Sequence, residues 1–226
     1  MIAVLLYHHA LSDRYGNKPE MLEEHFRYIA KNYQTVHPGE LSENALSVCL
    51  TFDDAYYDFY AYAFPLLQKY GLKSVLAVPT ALIEDTTNLS PKERLEKKSH
   101  CTWEEIDEMV TSPLLQLASH SHTHTNLKNG SDLHQEIVFS KERLESHAPV
   151  NTFVFPYGSF SPEALELANK HYKFVMRIGT AFNHSWDQRL LYRVPCDRLA
   201  KPSQPFQLLN RLLYQARYHL NQARSR

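Results

Sequence analysis

A chain of 226 residues, 43% of them hydrophobic and with a formal net charge of −1, is long enough to bury a real core in one domain and does not require a second. The near-neutral balance excludes the basic character of a nucleic-acid-binding domain, and three widely spaced cysteines, Cys49, Cys101 and Cys196, offer neither a disulfide framework nor a CxxC metal site. Thirteen histidines and fourteen tyrosines against six glycines suit a polar cleft with aromatic walls.

The first element is a buried strand over residues 3–7 within "MIAVLLYHHALSD". This run has no basic leader or small-residue cleavage site and is too short for a membrane span, so a cytoplasmic, reducing location is expected. A helix over 20–32 follows, then a strand over 45–52, a helix over 57–70 and a strand over 74–78. The polar stretch 84–100 reads as a surface excursion. After it come a helix over 102–110, a strand over 114–118 and a helix over 131–146. Strands over 152–155, 174–177 and 192–194 and helices over 162–170 and 205–223 complete the order. Strand and helix alternate almost throughout, which predicts a parallel sheet wrapped by helices, and six or seven units in one domain favour a barrel.

In a barrel of this kind chemistry gathers at the carboxyl ends of the strands. Four predicted ends carry polar groups: Tyr7-His8-His9, Asp53-Asp54, the run from Ser119 to His124, and Pro156-Tyr157-Gly158. Adjacent aspartates repel unless a cation or a shared proton relieves them, although Asp also suits a helix N-cap and first turn. The histidines at a neighbouring strand end favour a metal, because one carboxylate and two imidazoles leave positions open for water and substrate. A spacing of four brings His120 and His124 together on one turn of helix or helix-like loop and points His122 elsewhere. Ser121 and Thr123 are placed to cap that turn.

"TFDDA", "HSHTH" and "FPYGSF", in this order, resemble the polysaccharide deacetylases, the NodB-homology carbohydrate esterases, whose fold is a distorted, incomplete (β/α) barrel. The resemblance runs from Ile2 to about Arg198 and includes "GLKSVLAVPTALI" and the Trp103-bearing helix before the histidines. It implies a domain over 1–200, with 201–226 as a basic amphipathic helix on the same domain. It also implies Asp53 as catalytic base, Asp54, His120 and His124 as ligands of one divalent metal, and the backbone N–H of Tyr157 as donor to the oxyanion. Two imidazoles and a carboxylate suit zinc, and cobalt, nickel or iron also fit such a set. Trp103 and His122 are expected around the substrate or behind the ligands.

The sequence departs from the family pattern twice. Many members carry an arginine two residues before the proline of the third motif, where it pairs with the catalytic aspartate; here that place is Val154, and Arg193 is the candidate substitute. The C-terminal Leu-x-His motif that supplies a general acid is absent. "VLLYHH" resembles that motif moved to the front, as in the circularly permuted branch that deacetylates poly-N-acetylglucosamine, which makes His8 the acid; the competing reading has His8 or His9 only capping the strand.

From Leu199 onward there is no acidic residue, against Lys201, Arg211, Arg217, Arg224 and Arg226. Phe206, Leu209, Leu213 and Leu220 recur at helical spacing, and Leu208 and Leu212 widen the stripe. The stripe is expected to pack on the barrel. The second reading rests the basic helix on an anionic membrane, which would suit a lipid-linked sugar. The function expected is removal of an N-acyl group from an amino sugar in a polysaccharide or glycolipid. The alternatives are an amidohydrolase of small non-peptide C–N bonds and an inactive carbohydrate-binding homologue.

Overall fold

The computed structural model describes residues 1–85, 87–128 and 131–224. Seven parallel strands close into a barrel in sequence order: β1 Ile2–Tyr7, β2 Ser47–Phe52, β3 Ser74–Val78, β4 Leu115–Ser119, β5 Thr152–Val154, β6 Phe174–Ile178 and β7 Leu191–Pro195. The ring closes where β1 lies between β7 and β2, with Val4 beside Arg193 on one side and Cys49 on the other. The barrel is distorted at β4–β5, which share a single registered pair, Ser119 with Phe153. Parallel neighbours require crossovers; helices α1 Pro19–Asn32, α2 Phe64–Tyr70, α4 Trp103–Val110, α5 Ser140–Glu145 and α6 Pro162–His171 lie in the first five, and the β6–β7 connection over 179–190 has no helix.

Most strand residues are buried on both faces, with Gln116 on β4 and Pro195 on β7 as exposed exceptions, so the strands read as largely apolar runs. Alternate residues face inward, and the inner layer is mostly small: Val4, Cys49, Val75, Ala77, Ala118, Val154 and Met176 form one cluster. That economy leaves volume for a large polar side chain, and Arg193 fills it, fully buried. The outer residues Leu5, Leu50, Leu76, Leu117 and Phe153 join the helices in the larger core.

Two features differ from expectation. The excursion at 84–100 contains a helix, α3 Pro91–Lys97, begun by a capping box in which Ser90 accepts from the Glu93 N–H and Glu93 accepts from Ser90. The Ser-x-x-Glu spacing marked that start. The second difference concerns α7 Leu208–Arg224, whose leucine stripe faces away from the barrel: Leu208, Leu209, Leu212, Leu213 and Leu220 are 49–73% exposed. Its inward side is polar and aromatic instead, with Tyr214 on Phe182, the Tyr218 hydroxyl donating to Gln188 and Asn221 donating to the Gly179 carbonyl. Arg226 and the side chain of Arg224 lie outside the described residues.

Candidate active site

Inward parity decides which side chains reach the mouth of the barrel. His8 follows Val4, Asp53 follows Cys49, His120 follows Ala118 and Ile178 follows Met176, each an even number of residues beyond an interior position. They line a cavity of about 390 Å³ with Asp54, His124, His9, Tyr15, Tyr56 and Tyr157. That volume is usual for a small-molecule site, roughly 300–1,000 Å³.

The loops that deliver these groups are bent by force. Of the eight non-glycine residues with positive φ among the described residues, five stand here: Asp54, Ala55, Ser121, His124 and Tyr157. Each such conformation costs about 1–2 kcal/mol for an L-residue, so the surroundings must over-determine it. Glu136, buried in a π-helical turn over His134–Phe139, accepts from the N–H groups of His122 and Thr123 at 2.9 Å and from the Thr123 hydroxyl at 2.6 Å. The Ser121 hydroxyl accepts from the His124 N–H at 3.0 Å. His120 and His124 therefore meet, ring centroids 4.8 Å apart, through a clamped loop with two left-handed residues and not through a turn of helix.

Asp54, His120 and His124 offer ligand atoms that all lie within 4.8 Å of one another. Asp54 Oδ1 is 3.1 Å from His124 Nε2 and 3.6 Å from His120 Nε2, yet it is buried without a hydrogen-bond partner among the described residues. His120 donates from Nδ1 to the Val154 carbonyl at 2.8 Å, which leaves the Nε2 lone pair directed at the cluster. Burial outweighs the nearby carboxylates and holds the His120 pKa below its ordinary value. Burial opposes ionisation of Asp54, but His124, His120 and His8 hold its carboxyl well below the usual range. A convergence of lone pairs with an orphaned carboxylate oxygen is the arrangement a divalent cation satisfies, and these residues fit one.

Asp53 is bound differently. Arg193 donates from both terminal nitrogens to its two oxygens, at 2.6 and 2.8 Å, and also reaches Thr51. Despite burial, Arg193 and then His120 hold the Asp53 carboxyl below its ordinary pKa. The arginine missing at Val154 on β5 thus has a counterpart reaching across from β7.

His8 lies with Nε2 3.9 Å from Asp53 Oδ2, and its Nδ1 donates to Asp197 at 2.7 Å. Burial disfavours its charge, but the Asp197 hydrogen bond and the fields of Asp53, Asp197 and Asp54 win and raise its pKa to about 9. His9 also lines the cavity, because both histidines stand beyond the last residue of β1, where strand alternation no longer separates them. His9 is fixed by Asp58 at 2.9 Å and stacks on Tyr56, which stacks on His100; His100 donates to the Asp54 carbonyl at 2.8 Å. Tyr157, with φ 57°, holds its exposed ring 4.9 Å from that of His124.

Trp103 and His122 stand outside the site. Trp103 stacks on His147 at 4.2 Å on the helical layer, and His122 bonds Thr80 at 2.8 Å and meets Phe139 edge-on. Both are turned away by their backbones, Trp103 as the first residue of α4 and His122 by the left-handed Ser121 that bends the chain between it and His120. Sequence reasoning missed Asp197, Glu136, Asp58 and His100. Asp197 had one signal, standing four residues after Arg193 at the end of the last strand.

Residues 42–174 match the family model described as polysaccharide deacetylase. The chain is 28% identical over 183 residues to YxkH of Bacillus subtilis, a protein named for the same activity, with 75% of this chain and 61% of that one covered. It is 27% identical over 192 residues to the poly-beta-1,6-N-acetyl-D-glucosamine N-deacetylase of Escherichia coli K12, covering 66% of this chain and 29% of that protein. The chain thus spans less than two thirds of the length of either relative. Among solved structures, the Streptococcus pyogenes deacetylase PplD superposes with a TM-score of 0.76 at 20% identity, over 95% of this chain and 97% of that one. IcaB from Ammonifex degensii gives 0.72 at 22% identity, over 90% and 94%. These two likenesses are of fold.

Proposed function

The chain belongs to the polysaccharide deacetylase family, and on that premise we propose that it is a metal-dependent hydrolase that removes the N-acetyl group from an amino sugar of a polysaccharide or glycolipid. The observation that carries this reading is the meeting of Asp54 Oδ1 with Nε2 of His120 and His124 beside an arginine-clamped carboxylate. Asp54, His120 and His124 would hold the ion, which supplies Lewis-acid polarisation of an amide carbonyl and acidifies a water. The donor set favours zinc, with cobalt, nickel and iron as the alternatives.

The chain's own groups divide the proton work. Asp53, ionised and held by Arg193, takes a proton from the attacking water. Arg193 fixes the carboxylate's orientation and keeps it basic only in the sense of being ionised; a carboxylate so stabilised is a weak base that works by position. His8 carries a proton near neutral pH, with Asp197 fixing its ring, and delivers it from Nε2 to the departing sugar nitrogen. Tyr157 lines the cavity, and its backbone N–H would serve as the oxyanion donor. An N-terminal histidine can take this role because β1 occupies the ring position between β7 and β2: closure makes chain order immaterial to where the side chain stands. That supports the permuted arrangement.

The activity named for the Escherichia coli relative points to N-acetylglucosamine as the sugar. The Arg193–Asp53 pair supports an active centre over an inactive carbohydrate-binding one, since the vacancy at Val154 was the reason to doubt it. The test is acetate release from β-1,6-linked N-acetylglucosamine oligomers by protein stripped with a chelator and reloaded separately with zinc, cobalt, nickel and iron. Release that depends on reloading is expected. No release with any of the four ions refutes the reading.

A further inference from the structure

Helix α7 is amphipathic the wrong way round for a helix that only packs on its own barrel. At 3.6 residues per turn, Leu209, Leu212, Leu213, Ala216, Leu220 and Ala223 share a sector about 100° wide, with no charged residue inside it. Every one of the six is exposed. The opposite side, which would ordinarily face water, is spent on the barrel through Tyr214, Tyr218 and Asn221. Burying one leucine is worth about 1.5–3 kcal/mol, so a face of four or more stabilises whatever contact covers it.

Charge decides between the candidates for that contact. The sequence from Leu199 onward has no aspartate or glutamate. Arg217 is exposed at the border of the apolar sector, and Lys201 is exposed just before the helix. Two copies of this helix placed face to face would bring cations together with no acidic side chain on either to answer them. An anionic lipid surface answers both properties together, taking the leucines at the boundary of headgroup and acyl chain and the cations among the phosphates.

We propose that α7 docks this protein on an anionic membrane surface through its outward leucine face, with Arg217 on the headgroups. The contact is peripheral: no helix among the described residues is long and apolar enough to cross a membrane. The proposal does not depend on the catalytic reading. Because the leucines already lie in solvent, polar substitutions there leave the fold intact, which thermal unfolding checks.

The experiment is co-sedimentation of the full chain with vesicles of phosphatidylcholine alone and of phosphatidylcholine with one quarter phosphatidylglycerol, at low and high salt. Partitioning onto the anionic vesicles is expected to exceed that onto neutral ones at least fivefold and to fall at high salt. Leu209→Ser with Leu213→Ser should weaken it more than tenfold, and Arg217→Glu by about fivefold or more. Acetate release from a soluble oligosaccharide should be the same in all three proteins. Failure of the unsubstituted chain to bind either vesicle overturns the proposal, as does equal binding to both. Light scattering that shows a dimer which the leucine substitutions dissociate, with no vesicle binding, assigns the face to a second copy instead.

Discussion

Replacing Arg193 with methionine removes both hydrogen bonds to Asp53 and leaves a carboxylate that is only 3% exposed without its cation. Breaking a buried pair in this way costs about 3–5 kcal/mol, because the stranded charge loses its partner and regains little water. For a chain of this size, about 2–4 °C per kcal/mol puts the fall in melting temperature at about 6–20 °C. The sign of the pH effect follows from the same contact. In the intact protein the Asp53 pKa is depressed, so its stabilisation is present above the unfolded carboxylate value and is lost as pH falls through the folded one. Without Arg193, burial acts against ionisation with only the histidines opposing it, the Asp53 pKa rises, and the acid limb of the rate profile moves to higher pH. Urea or thermal unfolding measures the first effect, and kcat/KM against pH for acetate release measures the second. Asp53→Asn combined with Arg193→Met should be less destabilising than the sum of the single changes, since the pair is coupled. A stability loss below about 1 kcal/mol with an unmoved acid limb would refute the account of Asp53 as an arginine-held base.

His124→Ala should lose most of the bound metal and activity together; full occupancy by elemental analysis would show that His124 is not a ligand. Asp53→Asn should keep the metal while turnover falls by about two to four orders of magnitude, the usual worth of a positioned general base, and loss of metal would reassign it as a ligand. Asp197→Asn replaces the charged acceptor that leads in raising the His8 pKa to about 9 with a neutral one, so the alkaline limb should move to lower pH, with N-acetyl substrates losing more rate than O-acetyl esters; an unmoved limb removes His8 as the acid. His25, buried with its pKa pushed down to about 4 and bonded to Tyr7 and Pro202, is neutral in the fold. Its contribution is complete above about pH 6.5 and is lost as pH falls toward 4, on the order of 3 kcal/mol. Urea unfolding of His25→Asn should show a flatter slope over that window, and an unchanged slope would place the sensitivity elsewhere.

The order of strands and helices and the residues that gather at the candidate site could be read from the sequence because both are written locally. Apolar runs of four to six residues bounded by turns mark buried strands, and the polar groups that follow each one must emerge at the same end of a parallel barrel. Asp53, Asp54, His120 and His124 stand at such ends. Pairings across the ring were not legible in the same way. Arg193 lies 140 residues from Asp53, and Asp197 lies 189 residues from His8; only closure of β7 on β1 fixes the register that makes them neighbours. Arg193 was reached by asking what replaces an arginine at Val154, whereas Asp197 and Glu136 had no such prompt.

Periodicity located α7 but could not say which of its faces is inside. A leucine stripe implies an apolar contact without naming the surface that makes it, and here the tyrosines and asparagines opposite found complementary partners on the barrel first. The direction of Trp103 was undetermined for the same reason. A side chain's period fixes its angle about its own axis, and only the packed fold fixes where that axis lies.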